Sequence, residues 1–309
     1  MRGAFARTLT ELAAADKRIY LLTGDLGYMA LEPFAESFPE RFINVGVAEQ
    51  NMVGIATGLA EAGFLPFVYS IVTFACLRPY EFIRNGPILH HLPVRIVGVG
   101  GGMEYGHNGA SHYGLEDVAV MRVQPGMTVV APADHKQTTT ALTQTYDLPG
   151  PIYYRLGKDD KLTVPGLEGK FELARVEALG NGQDVAIVAM GGITAEAVTA
   201  ADLLNAEGIK ARVVVVSSFN PGPDEDLVKH LSACRNVVTL EAHYAVGGLS
   251  SYVAETIAVN NLNVRFKRCA VEKQPDGITG GQQFLYERYG LAAKQVAACA
   301  KDMMSGVLV

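Results

Sequence analysis

The chain has 309 residues, with 26 Lys and Arg against 32 Asp and Glu, a formal net charge of −6, and 49% hydrophobic residues. That length and apolar content suit two globular domains, and the acidic balance excludes a nucleic-acid groove or an anionic membrane surface as main partner. Cys76, Cys234, Cys269 and Cys299 stand apart with no C-x-x-C pair, so they read as small buried hydrophobes in a reducing compartment, neither a disulfide frame nor a zinc site.

The opening "MRGAFARTLTELAAADKR" has the pattern of an amphipathic helix with acids in it and lacks the apolar stretch of a signal peptide. No later run approaches the roughly 18 apolar residues of a membrane helix, and a cytoplasmic location is expected. Short β-branched runs then alternate with helical periodicity, giving candidate strands at 19–22, 42–45, 66–70, 95–99, 128–131 and 151–155, and further ones at 184–190, 212–217, 236–241 and 264–271. Most are continuous apolar runs, as in parallel strands covered by helices on both faces. The class is α/β, with two α/β domains, the first built on a mainly parallel sheet. The Gly-, Pro- and charge-bearing stretch between 157 and 183 places the boundary, with domains at 1–165 and 180–309 and a linker at 166–179.

Within this frame, "FINVGVAEQNMVGIATGLAEAGF" (42–64) carries Glu49 into the first turn of a helix with apolar flanks. A carboxylate there gains from the helix dipole, which by itself makes a plain stabiliser. A buried, unpaired carboxylate is also costly, and burial raises its proton affinity, which is useful where something must receive a strong hydrogen bond or a proton. "VGVGGGMEYGHNGASHYGLED" (97–117) is a long polar loop after a strand, with His107, Asn108, Ser111 and His112. It fits a dinucleotide loop poorly, lacking a prompt helix start and a ribose acid. A ligand site beyond a strand's carboxyl end, or an exposed loop of no special role, are the readings left open. In "SIVTFACLRPYEFIRNG" (70–86), Phe74 is core by spacing or a ring to stack on a flat ligand. Arg155, ending the strand in "PIYYRLGKDD", is an anion ligand or a surface charge.

Taken together and in this order, "VGVAEQNMVGIATGLA", "FACLRPYEFIR", "GASHYGLEDVAVMRVQPGMTVVAPAD", "PIYYRLGK" and "LEAHYAVGGL" resemble the C-terminal portion of transketolases, over nearly the whole chain. The layout is similar to the split form, in which a pyrimidine-binding domain and a transketolase C-terminal domain make up one of two chains. The resemblance implies thiamine diphosphate and Mg2+ as cofactors and transfer of a two-carbon ketol unit from a ketose to an aldose. It makes Glu49 the acid that hydrogen-bonds N1′ of the aminopyrimidine, Phe74 a wall of the pyrimidine pocket, and Ile71 and Arg78 its neighbours. Asp25, in "LLTGDLG", matches an acid near the cofactor at the subunit interface. His112 matches a histidine near the donor's reacting oxygens, His107 and Asn108 belong with the donor's hydroxyls, and Arg155 matches an arginine that holds a sugar phosphate.

The departures from the family pattern concern the substrate. Ile71 stands where many relatives have a second pocket Phe, Asn108 where an Asp is usual, Tyr113 where Gln is common, and Gly100 where a phosphate-reading His is found. Neither "TGDLG" nor "PDGITGG" is the G-D-G…Asn motif that anchors metal and diphosphate, so the resemblance calls for a partner chain carrying it, in an α2β2 heterotetramer. The β-subunit of a 2-oxo acid dehydrogenase shares the plan and a matching Glu, and a partner subunit without chemistry is the third reading. A stand-alone nicotinamide dehydrogenase comes last.

Overall fold

A computed structural model describes residues 1–305. In the first half the strands are β1 (Ile19–Thr23), β2 (Phe42–Asn44), β3 (Leu65–Ile71), β4 (Arg95–Val99), β5 (Thr128–Val130) and β6 (Ile152–Leu156). The second half gives β7 (Val176–Leu179), β8 (Val185–Ala189), β9 (Ala211–Val216), β10 (Ser218–Phe219), β11 (Asn236–Tyr244) and β12 (Arg265–Val271). They form a seven-stranded sheet in the order β10-β5-β6-β4-β3-β1-β2 and a five-stranded sheet in the order β12-β11-β8-β9-β7. All pairs are parallel except β10 with β5 and β7 with β9, which are edges. Every residue of β4, β6, β8 and β9 is buried, which is why those segments read as mainly apolar, with Arg95, Arg155 and Arg212 as buried exceptions.

Two strands escape the sequence reading. The stretch taken as linker, 166–179, ends in β7, whose Val176 to Leu179 pair with Val216 to Val213. Its run Val-Glu-Ala-Leu is only partly buried, with Ala178 exposed, so it carries no clear period and lies among charged residues. The two residues of β10 cross back to the first sheet, Ser218 opposite Val130 and Phe219 opposite Val129, and two residues carry no periodicity to read.

The halves share apolar packing. One buried cluster runs from Leu22, Met52, Val68 and Ile96 through Tyr153 and Phe219 to Val188, Val214 and Leu249. No helix among the described residues is long and apolar enough to cross a membrane.

Candidate active site

The carboxyl ends of β1, β2, β3, β4 and β6 open onto one edge of the first sheet, where open α/β sheets place their ligands. Register fixes this: Thr23 lies beside Asn44 and Tyr69, Ile71 beside Val99, and Val99 beside Leu156. Each strand therefore delivers its following segment to the same place.

Glu49 opens the helix Glu49–Glu61 with its side chain 1% exposed. It is not unpaired, as the apolar flanks suggested. Ser70 Oγ donates to Oε1 at 3.2 Å, and Arg78 Nη1 donates to Oε2 at 2.8 Å. Gly24, just past β1, lies over the carboxylate: a Cβ there would sit 3.6 Å from Oε1 and 3.4 Å from the Gly46 carbonyl. The positive end of the helix dipole adds to what holds the charge in place.

Phe74, on the short helix Val72–Cys76 after β3, has the Arg78 guanidinium carbon 4.0 Å from its ring centroid. The His112 ring meets it edge-on, with centroids 5.1 Å apart and planes at 72°. Ser111 Oγ lies 3.0 Å from His112 Nδ1, and Thr73 Oγ1 donates to the Ser111 carbonyl at 3.3 Å, pinning the loop to that helix. Glu49, Arg78, Phe74 and His112 thus form one contiguous chain of contacts, assembled from segments after three different strands.

The remaining expected residues spread around it. Ile71 ends β3 and caps the helix that carries Phe74, and it is partly buried. Asp25 is exposed, in a left-handed backbone conformation (φ 58°) one residue beyond Gly24. Its carboxylate accepts from Asn44 Nδ2 at 3.1 Å and Tyr28 Oη at 3.2 Å, and its charge raises the Tyr28 pKa. His107 and Asn108 are exposed on the short turn Gly106–Asn108. That turn is backed by the second domain: Tyr113 Oη donates to the carbonyls of Gly106 at 3.0 Å and Ile278 at 3.2 Å, and Gly280 N–H donates to Gly106 at 3.3 Å.

Arg155, expected as an anion ligand, is engaged within the chain. It is 5% exposed, with Nε on Asp117 Oδ2 at 2.8 Å and Nη2 on the carbonyls of Gly114 at 3.1 Å and Ala242 at 2.9 Å. Tyr153 Oη also donates to Asp117 Oδ2, at 2.8 Å. Burial works against the Arg155 charge, yet Asp117 holds its pKa above the ordinary arginine value. Through Nε and Nη2 the side chain ties β6, the 97–117 loop and β11 together.

Sequence reasoning missed Asn44, Lys158 and Glu104. Asn44 positions Asp25 through both its amide atoms, and a polar residue at the end of a three-residue strand gives no signal. The Lys158 ammonium lies 4.7 Å from the Tyr105 ring centroid, and that ring is 6.3 Å from His112. The Glu104 carboxylate turns inward, where a Cβ on Gly157 would lie 2.9 Å and one on Gly192 3.4 Å from Oε1. It accepts from the Lys158 N–H, and burial pushes its pKa up to about 7.

With this geometry in hand, residues 1–161 match the transketolase pyrimidine-binding domain and residues 174–296 the transketolase C-terminal domain. This chain belongs to the transketolase family. It is 37% identical to a Methanocaldococcus jannaschii protein named as a transketolase C-terminal section, over 96% of this chain and 94% of that one. It is 34% identical to one of the apulose-4-phosphate transketolase subunits of Phocaeicola vulgatus, over 98% and 97%. Among solved structures, a split-gene transketolase described as an inactive β4 tetramer superposes with a TM-score of 0.86 at 38% identity, covering 98% of this chain and 97% of that one.

Transketolases depend on thiamine diphosphate, and the site residues suit its aminopyrimidine end. A buried carboxylate offers acceptor oxygens, an aromatic ring lies on the far side of Arg78 from it, and Gly24 borders the acid. Among the described residues, no three His, Cys, Asp or Glu side chains converge as metal ligands.

Proposed function

We propose that this chain is the pyrimidine-side subunit of a two-chain transketolase, moving a two-carbon ketol unit from a ketose donor to an aldose acceptor. The observation that carries the reading is Glu49: 1% exposed, at a helix start, and linked through Arg78 to the Phe74 ring, which His112 meets edge-on, on the carboxyl edge of a transketolase pyrimidine-binding domain. The partner is a separate chain with the G-D-G…Asn motif, which holds the diphosphate and Mg2+, and the two assemble as α2β2. The relatives named as a C-terminal section and as one subunit of a transketolase support the division into two chains.

The cofactor, when bound, supplies the electron sink on which the donor's C–C bond breaks. This chain's own residues prepare the site for it. Glu49 would hold the aminopyrimidine ring through a hydrogen bond from its carboxyl, as a positioned acid–base group. Phe74 and Ile71 form the apolar wall against the ring, while Asp25 and Asn44 order the β1–β2 edge toward the partner. His112, oriented by Ser111 on Nδ1, donates toward the donor's reacting oxygen. His107 and Asn108 face the donor's hydroxyls from the exposed turn, and the neutral Asn108 amide reads a hydroxyl without adding charge. With Arg155 committed to Asp117, discrimination of the donor's far end falls to that turn and to the partner. The apulose-4-phosphate enzyme among the relatives supports a specialised ketose as donor.

Mixing this chain with the partner, thiamine diphosphate and Mg2+ should yield ketol transfer from a ketose panel to an aldose, with neither chain active alone. Decarboxylation of pyruvate without any ketol transfer would refute the reading.

A further inference from the structure

Arg78 bridges Glu49 and Phe74. Its guanidinium is planar and carries in-plane N–H donors, as an aminopyrimidine carries a planar ring with an amino donor and a ring nitrogen that takes a proton. Here it does both jobs of such a ring: Nη1 donates to Glu49 Oε2 at 2.8 Å, and Cζ lies 4.0 Å from the Phe74 ring centroid. Glu49 Oε1 is already served by Ser70 at 3.2 Å, so each carboxylate oxygen has a donor before any ligand arrives.

We propose that Arg78 is a placeholder: in the cofactor-free chain its guanidinium fills the aminopyrimidine seat between Glu49 and Phe74 and must leave for the cofactor to enter. The proposal rests on the reading of Glu49 and Phe74 as the pyrimidine pocket. It also revises the expectation that Arg78 helps bind the cofactor, since the same contacts cannot be made by both occupants.

The chemistry explains why a placeholder is needed. A carboxylate 1% exposed and without a counter-charge is destabilising, and a subunit that folds before meeting its cofactor must pair it. The device is reversible because the arginine side is open. The Arg78 side chain is 40% exposed and follows the helix Val72–Cys76 in an irregular Leu-Arg-Pro turn, so it can swing into water and be hydrated there. Once it has left, the seat keeps its shape and Glu49 loses its positive neighbour.

Two measurements on the isolated, cofactor-free chain test this separately. The first is the thermal midpoint of Arg78→Met, Glu49→Gln and the double variant. Arg78→Met should lower the midpoint, and adding Glu49→Gln should restore most of the loss. Additive effects of the two substitutions would overturn the pairing, whatever the seat binds. The second is an NMR titration with 4-amino-5-hydroxymethyl-2-methylpyrimidine, the free pyrimidine half of the cofactor. Arg78→Met should bind it at least fivefold more tightly than the wild-type chain, and Glu49→Gln in the same background should remove the gain. Equal or weaker binding by Arg78→Met, with wild type binding measurably, overturns the placeholder and leaves the pocket assignment standing. If neither chain binds the probe although Glu49→Gln rescues Arg78→Met, the pocket assignment itself fails, and the placeholder with it.

Discussion

Replacing Arg155 by Met separates a buried strut from a phosphate grip. The substitution leaves the Asp117 carboxylate, 2% exposed, with Tyr153 Oη as its one remaining hydrogen-bond donor and with Oδ1 already lacking a partner. It also removes donors from the carbonyls of Gly114 and Ala242, one in each half of the chain. Removing one partner of a buried ion pair costs about 3–5 kcal/mol, chiefly through the stranded charge. Urea unfolding at neutral pH should therefore show a loss in that range. Arg155→Met, Asp117→Asn should recover part of the loss, since the stranded charge is then gone. A loss below about 1 kcal/mol, joined to a raised KM for phosphorylated donors alone, would refute the strut and restore the phosphate grip.

Glu104→Gln should change how stability depends on pH. The folded-state pKa is raised from 4.5 to about 7 by burial, so the folded chain keeps a proton that the unfolded chain has lost. That contribution is complete below the unfolded pKa and vanishes as pH rises through the folded one. Thermal midpoints of the wild type should fall across this window more steeply than those of Glu104→Gln, and parallel curves would contradict the assignment. Gly102 has φ of 72°, and a Cβ there would lie 2.6 Å from Ala242 Cβ. Gly102→Ala should then cost roughly 1–3 kcal/mol in denaturant unfolding by overpacking the domain junction. In the assembled enzyme, His112→Asn should lower kcat more than it raises KM, as expected for a donor that matters most in the transition state.

The fold was largely legible because fully buried parallel strands announce themselves as β-branched runs. β4, read at 95–99, is Arg95–Val99, and the candidate at 236–241 lies within β11. What stayed hidden was short or local to an edge. β7 sits among charges, and β10 reaches its sheet through pairing with a strand about ninety residues earlier, Ser218 with Val130. At the candidate site, Glu49, Phe74 and His112 stood out as residue types in apolar or Gly-rich settings. Their partners did not: the Arg78–Glu49 pair spans 29 positions and the Arg155–Asp117 pair 38. A one-dimensional pattern cannot say whether an arginine is free to hold a ligand or already spent on a carboxylate. That is why the ion pairs of Arg155 with Asp117 and Arg78 with Glu49 had no sign in the sequence.

The central claim is that this chain contributes the acid that activates the cofactor, and Glu49→Gln tests it most directly. The amide keeps size and one acceptor but cannot take up or share a proton as the acid does. With the partner, thiamine diphosphate and Mg2+ at saturation, ketol transfer should fall by at least about 100-fold, the usual contribution of a positioned acid–base group, while the assembly still forms. Turnover close to that of the wild type in an intact assembly would contradict the account.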